Sequence, residues 1–175
     1  MHMTQDIYFA GGCFWGVEAA FRKLLDEGVV ATEVGYANGP TDGVTYRDVA
    51  YKKSGHAEVV KVTYNPDNIT LQRLVALFFM VHDPTSKNQQ GNDIGIQYRS
   101  GIYTPDQNQI ASIDAMVERL VSLKQYPRPV VTEVQLLENY TPAEEEHQRY
   151  LDKNPSGYCH VNLDEVDEHI ASMSQ

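Results

Sequence analysis

The sequence predicts a single two-layer sandwich of the α/β or α+β class, formed by one domain spanning residues 1–175. Its 175 residues are 42% hydrophobic and 22% charged, which is typical of one globular domain with its own core. Predicted strands and helices alternate along the chain. The connections between them vary too much in length for a regular doubly wound sheet, so we expect helices packed against a sheet in two layers.

The first part of the chain is predicted to form a strand, a turn, a helix and a second strand. Residues 6–10 are a short strand, a Gly-Gly pair forms a tight turn, and residues 13–27 carry apolar side chains at helical spacing. Gly28 ends this helix, because glycine accepts the left-handed backbone that closes many helices. Residues 29–36 then form the second strand.

The middle of the chain adds a loop, a strand and a helix. Residues 46–51 are ambiguous, and we interpret them as part of a loop. Residues 57–64 form a strand. Thr70 caps a helix that stops at Pro84.

The second half continues the alternation but contains one long irregular segment. Residues 85–95 are polar, have no period and are long for a connection in a compact domain, which indicates a functional loop. The remaining predicted elements are a strand over 97–103, a helix over 104–124 capped by Thr104, a strand over 130–137, a helix opened by Thr141 in the same way, and an irregular tail over 154–175 that we expect to be mobile.

Charge and hydropathy limit the partners of this domain. Its 14 basic and 24 acidic residues give a net charge of −10, and the basic residues are scattered, which argues against nucleic acid. Apolar runs fall short of the roughly 20 residues that a membrane helix needs. The first strand begins almost at once after Met1, which leaves no room for a secretion signal, so we expect a cytoplasmic protein.

Two cysteines lie at opposite ends of the chain, at Cys13 and Cys159. Two thiols cannot form a four-thiolate zinc site, and no pair of histidines has metal-ligand spacing, so we expect no metal. Inert buried thiols and paired redox chemistry both remain open from the count alone.

The surroundings of Cys13 favour the redox alternative. A cysteine at a helix N-terminus faces unsatisfied N–H groups and the positive end of the helix dipole, which lower its pKa. Gly11 and Gly12 let the backbone turn sharply before it. We therefore expect a reactive thiolate that faces a pocket.

Phe14 and Trp15 follow this cysteine directly. Adjacent helical residues point about 100° apart, so both cannot belong to one core-facing stripe. Phe14 fits the stripe, which leaves Trp15, the only tryptophan, as a candidate wall for an apolar substrate group. A half-buried surface tryptophan is the alternative.

Glu58 is the candidate acid. On the predicted strand it shares parity with Val60, Val62 and Tyr64, so it points to the apolar face. Desolvation there raises the pKa of a carboxyl group, which can then act as a general acid near neutral pH. A solvated carboxylate at the strand end is the alternative.

Several short segments together resemble the A-type peptide methionine sulfoxide reductases. The most specific is Gly12-Cys13-Phe14-Trp15-Gly16. Further blocks that match in order are Thr45-Tyr46-Arg47, Gly55-His56-Ala57-Glu58, His82-Asp83-Pro84, Gly91-Asn92-Asp93, Gln97-Tyr98-Arg99-Ser100 and Asn154-Pro155-Ser156-Gly157-Tyr158-Cys159. The resemblance covers nearly the whole chain.

The resemblance implies a fold, an activity and a set of site residues. The family fold is an α/β sandwich with a ferredoxin-like mixed sheet. Its substrate is the S epimer of methionine sulfoxide, free or in peptides. Glu58 would protonate the sulfoxide oxygen, and Tyr46, Tyr98 and Asp93 would surround that oxygen, with Phe14 and Trp15 at the apolar end.

The same resemblance implies a two-cysteine cycle without a bound cofactor. Cys13 attacks the sulfoxide sulfur and becomes a sulfenic acid, which Cys159 resolves as a disulfide. Thioredoxin is the expected reductant of that disulfide. The chain has no third cysteine, so a relay through another thiol is excluded, and we expect a monomer.

Parts of the sequence are also compatible with three other functions. His56, His82 and His160 with Asp83 could belong to a Cys-His hydrolase, although nothing in the sequence sets their geometry. A thiol peroxidase and a peptide-binding or redox-sensing module on the same scaffold are the other two alternatives. The ordered motif blocks and Glu58 disfavour all three.

Overall fold

Residues 3–173 are described by the computed structural model, and a six-stranded mixed sheet organises them. The strands are β1 (Gln5–Gly11), β2 (Val29–Ala37), β3 (Ala57–Tyr64), β4 (Gln89–Gln90), β5 (Asp93–Ile94), β6 (Ser100–Thr104), β7 (Glu133–Leu136) and β8 (Tyr140–Pro142). The sheet order is β7-β6-β1-β3-β2-β8, and β4 and β5 form a separate two-stranded hairpin. Only the β6–β7 pair of the large sheet is parallel.

Six α-helices and three short 3₁₀ segments complete the described chain. The α-helices are α1 (Phe14–Arg22), α2 (Tyr46–Ala50), α3 (Leu71–Val81), α4 (Ile110–Lys124), α5 (Tyr150–Lys153) and α6 (Leu163–Met173). The 3₁₀ segments are Ile96–Tyr98, Gln107–Gln109 and Glu145–His147. None of the described helices is long and apolar enough to cross a membrane.

The main core lies between one face of the sheet and helices α1 and α3. Phe9 of β1 stacks on Phe21 of α1 at 4.7 Å and packs against Phe78 of α3 at 4.9 Å between ring centroids. The opposite face carries a smaller cluster that includes Tyr8 and Tyr103. This mixed sheet with flanking helices confirms the predicted fold class.

The strand register explains how distant segments meet. β1 and β3 are antiparallel, and Phe9 lies opposite Val60, so the end of β1 lies beside the start of β3. The turn after β1 leads to Cys13, and Glu58 is the second residue of β3. The 44 residues between Cys13 and Glu58 in the sequence therefore do not separate the two side chains in space.

Three predicted boundaries are corrected by the structure. Within residues 46–51, predicted as loop, Tyr46–Ala50 form α2. This helix is too short to show a hydrophobic period, and it starts because Thr45 and Asp48 make a reciprocal capping box. The helix predicted over 13–27 ends at Arg22 and continues as turns to Gly28. The strand predicted from residue 97 begins at Ser100, after a 3₁₀ turn.

The two predicted proline-containing helix starts are wrong. Thr104 ends β6, and Asp106 caps the following 3₁₀ turn by accepting from the Asn108 N–H at 2.9 Å, so α4 starts only at Ile110. Thr141 lies in the edge strand β8, opposite Tyr36 of β2. Proline is compatible with an edge strand, so the same residue pattern serves a sheet there.

The tail from Asn154 divides into two parts. Residues 154–162 have no regular helix or strand, as predicted for the tail, whereas residues 163–173 form α6. Val161 and Val166 are buried against the main core. The expected mobility of residues 154–175 stays a prediction, and its last two residues lie outside the described range.

Candidate active site

Cys13 lies at the junction between β1 and α1. It is the N-cap residue of α1, and only 8% of its surface is exposed. Gly12 adopts a φ of +97°, and a side-chain carbon there would lie 2.7 Å from Gln90 Cβ. Glycine is therefore required for both the backbone angle and the close approach of Gln90. The predicted strand, turn and helix around Cys13 are confirmed.

The predicted low pKa of Cys13 is wrong for this structure. Burial and the nearby Glu58 carboxyl group raise the pKa of the thiol far above its ordinary value, although a hydrogen bond from the Trp15 backbone N–H opposes this. Desolvation of the sulfur outweighs the helix N-terminus because the thiolate would lose most of its water. In the unliganded protein Cys13 is a protonated thiol at neutral pH.

Glu58 faces the same side of the sheet as predicted from its parity. Its side chain is 2% exposed, and its Oε1 accepts a hydrogen bond from the backbone N–H of Phe14 at 3.2 Å. Burial raises the pKa of Glu58 to about 8, and the Asp93 carboxylate contributes in the same direction. The carboxyl group is therefore largely protonated at pH 7 and can donate a proton next to Cys13.

Tyr46, Tyr98 and Asp93 converge on this pair from three different segments. Tyr46 starts α2, Tyr98 ends a 3₁₀ turn, and Asp93 starts β5. Burial first, and then the Glu58 charge, raise the pKa of both tyrosines, so both hydroxyls keep their protons. Both also sense the charges of Cys13 and Asp93, which agrees with one shared site.

Aromatic rings form one wall of the site. Trp15 stacks on Tyr150 at 3.8 Å, and its indole N–H donates to His147 Nδ1 at 3.3 Å. The His147 ring in turn lies 4.8 Å from that of Tyr46 and 5.6 Å from that of Phe14. Phe14 is only 1% exposed and belongs to the core, so the half-buried Trp15 presents the more accessible surface.

His147 and Tyr150 are members of this wall that the sequence analysis missed. They lie in a polar stretch for which only a helix was expected, and no motif around them suggests a site. Gln148 fixes this segment by a pair of hydrogen bonds with the Val34 backbone, each 2.9 Å long. Glu18 of α1 accepts from the Arg149 N–H at 2.7 Å. These tertiary contacts, rather than local pattern, bring His147 and Tyr150 beside Trp15.

Cys159 lies over the first turn of α1. A side-chain carbon on Gly16 would lie 2.9 Å from its Sγ, and the thiol donates to the Val161 carbonyl at 3.3 Å. Both cysteines are free, and the preceding Tyr158 donates to Asp93 at 3.0 Å. Tyr158 was not singled out from the sequence. On its other side Cys159 borders an open pocket of about 380 Å³ between α1, α5 and the start of α6.

Of the three histidines considered for a hydrolase triad, His82 and His56 have partners for both ring nitrogens, whereas His160 contacts the Gly11 carbonyl through Nε2. His82 bonds the Phe78 carbonyl and the Ser100 hydroxyl, each at 2.7 Å, and burial lowers its pKa to about 4. His56 bonds Ser54 and the Thr41 carbonyl. With both nitrogens of each ring engaged elsewhere, neither histidine is available as a base for Cys13.

One group of side chains in the described chain has donor atoms close enough to hold a metal ion. These atoms, from Glu144, Glu146 and His147, lie within 4.8 Å of one another. Glu144 already accepts from the Tyr36 hydroxyl at 3.0 Å and from the Tyr46 N–H at 3.1 Å. Its carboxylate oxygens therefore position the aromatic wall.

This site is typical of thiol-based oxidoreductases. It combines a buried cysteine at a strand-to-helix turn, a protonated carboxyl group beside it and a second free cysteine nearby. The comparisons with known proteins agree with this class. The family model described as "Peptide methionine sulfoxide reductase" matches residues 5–175. The peptide methionine sulfoxide reductase MsrA of Clostridium perfringens (strain 13 / Type A) is 52% identical over 160 residues, which are 91% of this chain and 99% of the relative.

Solved structures show the same relationship. Mxr1 from Saccharomyces cerevisiae in reduced form has a TM-score of 0.84 and 38% identity, over 91% of this chain and 90% of that one. Mxr1 in complex with Trx2 has a TM-score of 0.59 and 30% identity, over 84% of each chain. This chain belongs to the A-type peptide methionine sulfoxide reductase family and is an oxidoreductase.

Proposed function

We propose that this enzyme reduces the S epimer of methionine sulfoxide, free or in peptides, through a sulfenic acid on Cys13 and a Cys13–Cys159 disulfide. The observation that carries the proposal is the contact of the Cys13 turn with Glu58, a buried carboxyl group that keeps its proton at neutral pH. Family membership supports the sulfoxide as substrate, and the A type supports the S epimer.

The surrounding side chains match the two ends of a methyl sulfoxide. The Trp15 face, held by His147 and Tyr150, offers an apolar surface for the methyl group. The hydroxyls of Tyr46 and Tyr98 remain protonated and can donate to the sulfoxide oxygen. The oxygen would thus lie toward Glu58 and the methyl group toward the indole.

The first step transfers oxygen from substrate sulfur to Cys13. Glu58 donates its proton to the sulfoxide oxygen, which makes the substrate sulfur more electrophilic, and the Cys13 sulfur attacks it. The thiol proton passes to Glu58 and restores the acid. The attack joins the two sulfur atoms; the protonated oxygen then bonds to the Cys13 sulfur, while the S–S bond and the S–O bond of the substrate sulfur both break. The products are methionine and the Cys13 sulfenic acid, so methionine sulfur is reduced by two electrons while cysteine sulfur is oxidised by two.

The second step uses Cys159 and an external dithiol. The Cys159 sulfur attacks the sulfenic sulfur, water leaves, and a disulfide joins the two cysteines. The position of Cys159 over Gly16 supports this step, as does the electrostatic interaction between the two cysteines, which raises the pKa of Cys13. The open pocket beside Cys159 gives a reductant access, and the complex of the yeast relative with Trx2 supports a thioredoxin as that reductant.

A coupled assay tests this function. NADPH consumption is followed with thioredoxin, thioredoxin reductase and either epimer of a blocked methionine sulfoxide, with hydrogen peroxide as a parallel substrate. We expect turnover with the S epimer and little with the R epimer. Turnover with peroxide alone would indicate a peroxidase, and no turnover with any of the three would favour a binding module.

A further inference from the structure

His160 follows Cys159 directly, and the hydrogen bonds of its ring fix its tautomer. Its Nε2 lies 2.9 Å from the carbonyl oxygen of Gly11, which can only accept, so Nε2 carries the proton. Nδ1 is then a lone-pair acceptor. This buried nitrogen forms no hydrogen bond with any residue from 3 to 173, which is unusual for a buried polar atom.

The unpartnered nitrogen lies on the same side as the thiol of Cys159. The point at which a Cβ on Gly16 would stand is 2.9 Å from Cys159 Sγ and 3.5 Å from His160 Nδ1. Both atoms therefore face the first turn of α1 next to Cys13. One water between the thiol and Nδ1 can link them once the thiol proton turns away from the Val161 carbonyl.

The ring also has a route to solvent. His160 lines an open polar pocket of about 340 Å³ between the end of α3, the 83–91 loop and the start of α6. Asp83, Gln90 and Glu165 line the same pocket. A proton taken from Cys159 can therefore leave the protein through this pocket.

We propose that His160 is the base that removes the proton of Cys159 in the disulfide-forming step, an inference that rests on the function proposed above. Nδ1 accepts the thiol proton, and the Cys159 sulfur forms a bond to the Cys13 sulfur. The S–O bond of the sulfenic acid breaks, and the departing hydroxide takes a proton from Glu58 to leave as water. His160 then releases its proton to solvent and Glu58 takes one up, so no further oxidant or reductant is needed.

The ionisation states of both groups agree with this role. Burial raises the pKa of the Cys159 thiol, which is therefore protonated at pH 7 and needs a base. Burial lowers the pKa of His160, while the Gly11 hydrogen bond and the Asp93 charge oppose this, so the ring is neutral and can accept a proton. The other titratable groups facing it are His82, which is neutral above its pKa of about 4, and the pocket side chains Asp83 and Glu165.

His160→Gln separates this role from a structural one. Glutamine places an amide N–H where Nε2 lies, so it retains the hydrogen bond to Gly11 but offers no basic nitrogen. His169→Gln is the matched control, since His169 is another tail histidine with a buried ring nitrogen that lacks a partner among residues 3–173. Each protein is mixed with substoichiometric methionine sulfoxide, and methionine release and thiol loss are timed separately between pH 5 and 9.

We expect the first methionine to appear at the wild-type rate in both variants. Disulfide formation in His160→Gln should be slower by about a hundredfold at pH 7 and should rise with pH through the range of the Cys159 pKa. In the wild type and in His169→Gln it should level off above the His160 pKa. An unchanged rate, or a uniform slowing with the wild-type pH profile, would overturn the role of His160. Absence of a disulfide in the wild type would instead contradict the proposed function.

Discussion

Burial sets the proton positions at Glu58 and Cys13. Both groups lose water in the folded chain, so the carboxyl group and the thiol both keep their protons at neutral pH. An acid next to a thiol is a suitable starting state for sulfoxide reduction, because the substrate oxygen needs a proton and the thiol supplies the replacement.

The residue scale gives a stability prediction for Glu58→Gln. The pKa of Glu58 is 4.5 in the reference state and about 8 when folded, so below pH 4.5 both states hold the proton. Between these values only the folded state holds it, and the free energy of unfolding falls as pH rises, by about 1.4 kcal/mol per unit. The variant should lose this slope and be more stable than the wild type at pH 8, as measured by urea unfolding.

The same variant should lose activity. Glutamine keeps a hydrogen-bond donor but cannot transfer a proton, so single-turnover methionine release should fall about 10²- to 10³-fold at pH 7. The wild-type rate should itself decline as pH rises through about 8, where free Glu58 ionises. A variant with unchanged methionine release would rule out Glu58 as the acid.

Local pattern was sufficient to identify Glu58 but not the ionisation of Cys13. Strand parity alone places Glu58 on the apolar face, because the period of a strand is invariant. The pKa of Cys13 depends on how completely tertiary neighbours exclude water, and no residue near it in sequence reports that. Cys13 does lie at a helix N-terminus, as predicted, but the helix lowers its pKa by less than burial raises it.

At the scale of elements, the first turn of α1 lies at the centre of the site. It presents Cys13 at its start, Trp15 toward the aromatic wall, and Gly16 beneath Cys159. Glycine inside a helix costs roughly 1 kcal/mol relative to alanine, which is offset here by the close approach of Cys159.

Gly16→Ala tests that approach. A methyl group 2.9 Å from Cys159 Sγ and 3.0 Å from the Val161 side chain must push the tail outward. We expect disulfide formation to slow by about tenfold or more, while release of the first methionine, which does not use Cys159, stays unchanged as an internal control. Disulfide formation is followed by counting thiols over time in the wild type and in Gly16→Ala. Equal rates in these two proteins would show that the tail does not dock on the first turn of α1.

Short elements were the hardest to predict. α2 depends on a capping box. The residues from Thr141 form an edge strand, although the same residue types often precede a helix. Elements of five residues or fewer are decided by caps and tertiary pairing, since they are too short to display a hydrophobic period. The longer elements β3 and α3 show clear periods and were predicted closely.

At the scale of the whole molecule, the sheet gathers residues from the entire chain into one site. The antiparallel β1–β3 register joins Cys13 to Glu58, the 85–95 segment supplies Asp93, and the tail returns over α1. The sequence indicated these segments individually. His147 and Tyr150 could not be found in this way, because tertiary contacts, among them those of Gln148 and Glu18, bring their segment to Trp15.

The central claim is that Cys13 reacts with substrate and Cys159 only resolves the product. It is tested most directly by counting methionine released per enzyme molecule with and without thioredoxin, in wild type, Cys13→Ser and Cys159→Ser. We predict no methionine from Cys13→Ser, one per molecule from Cys159→Ser under both conditions, and many from the wild type with thioredoxin. Methionine from Cys13→Ser, or repeated thioredoxin-driven turnover by Cys159→Ser, would contradict the account.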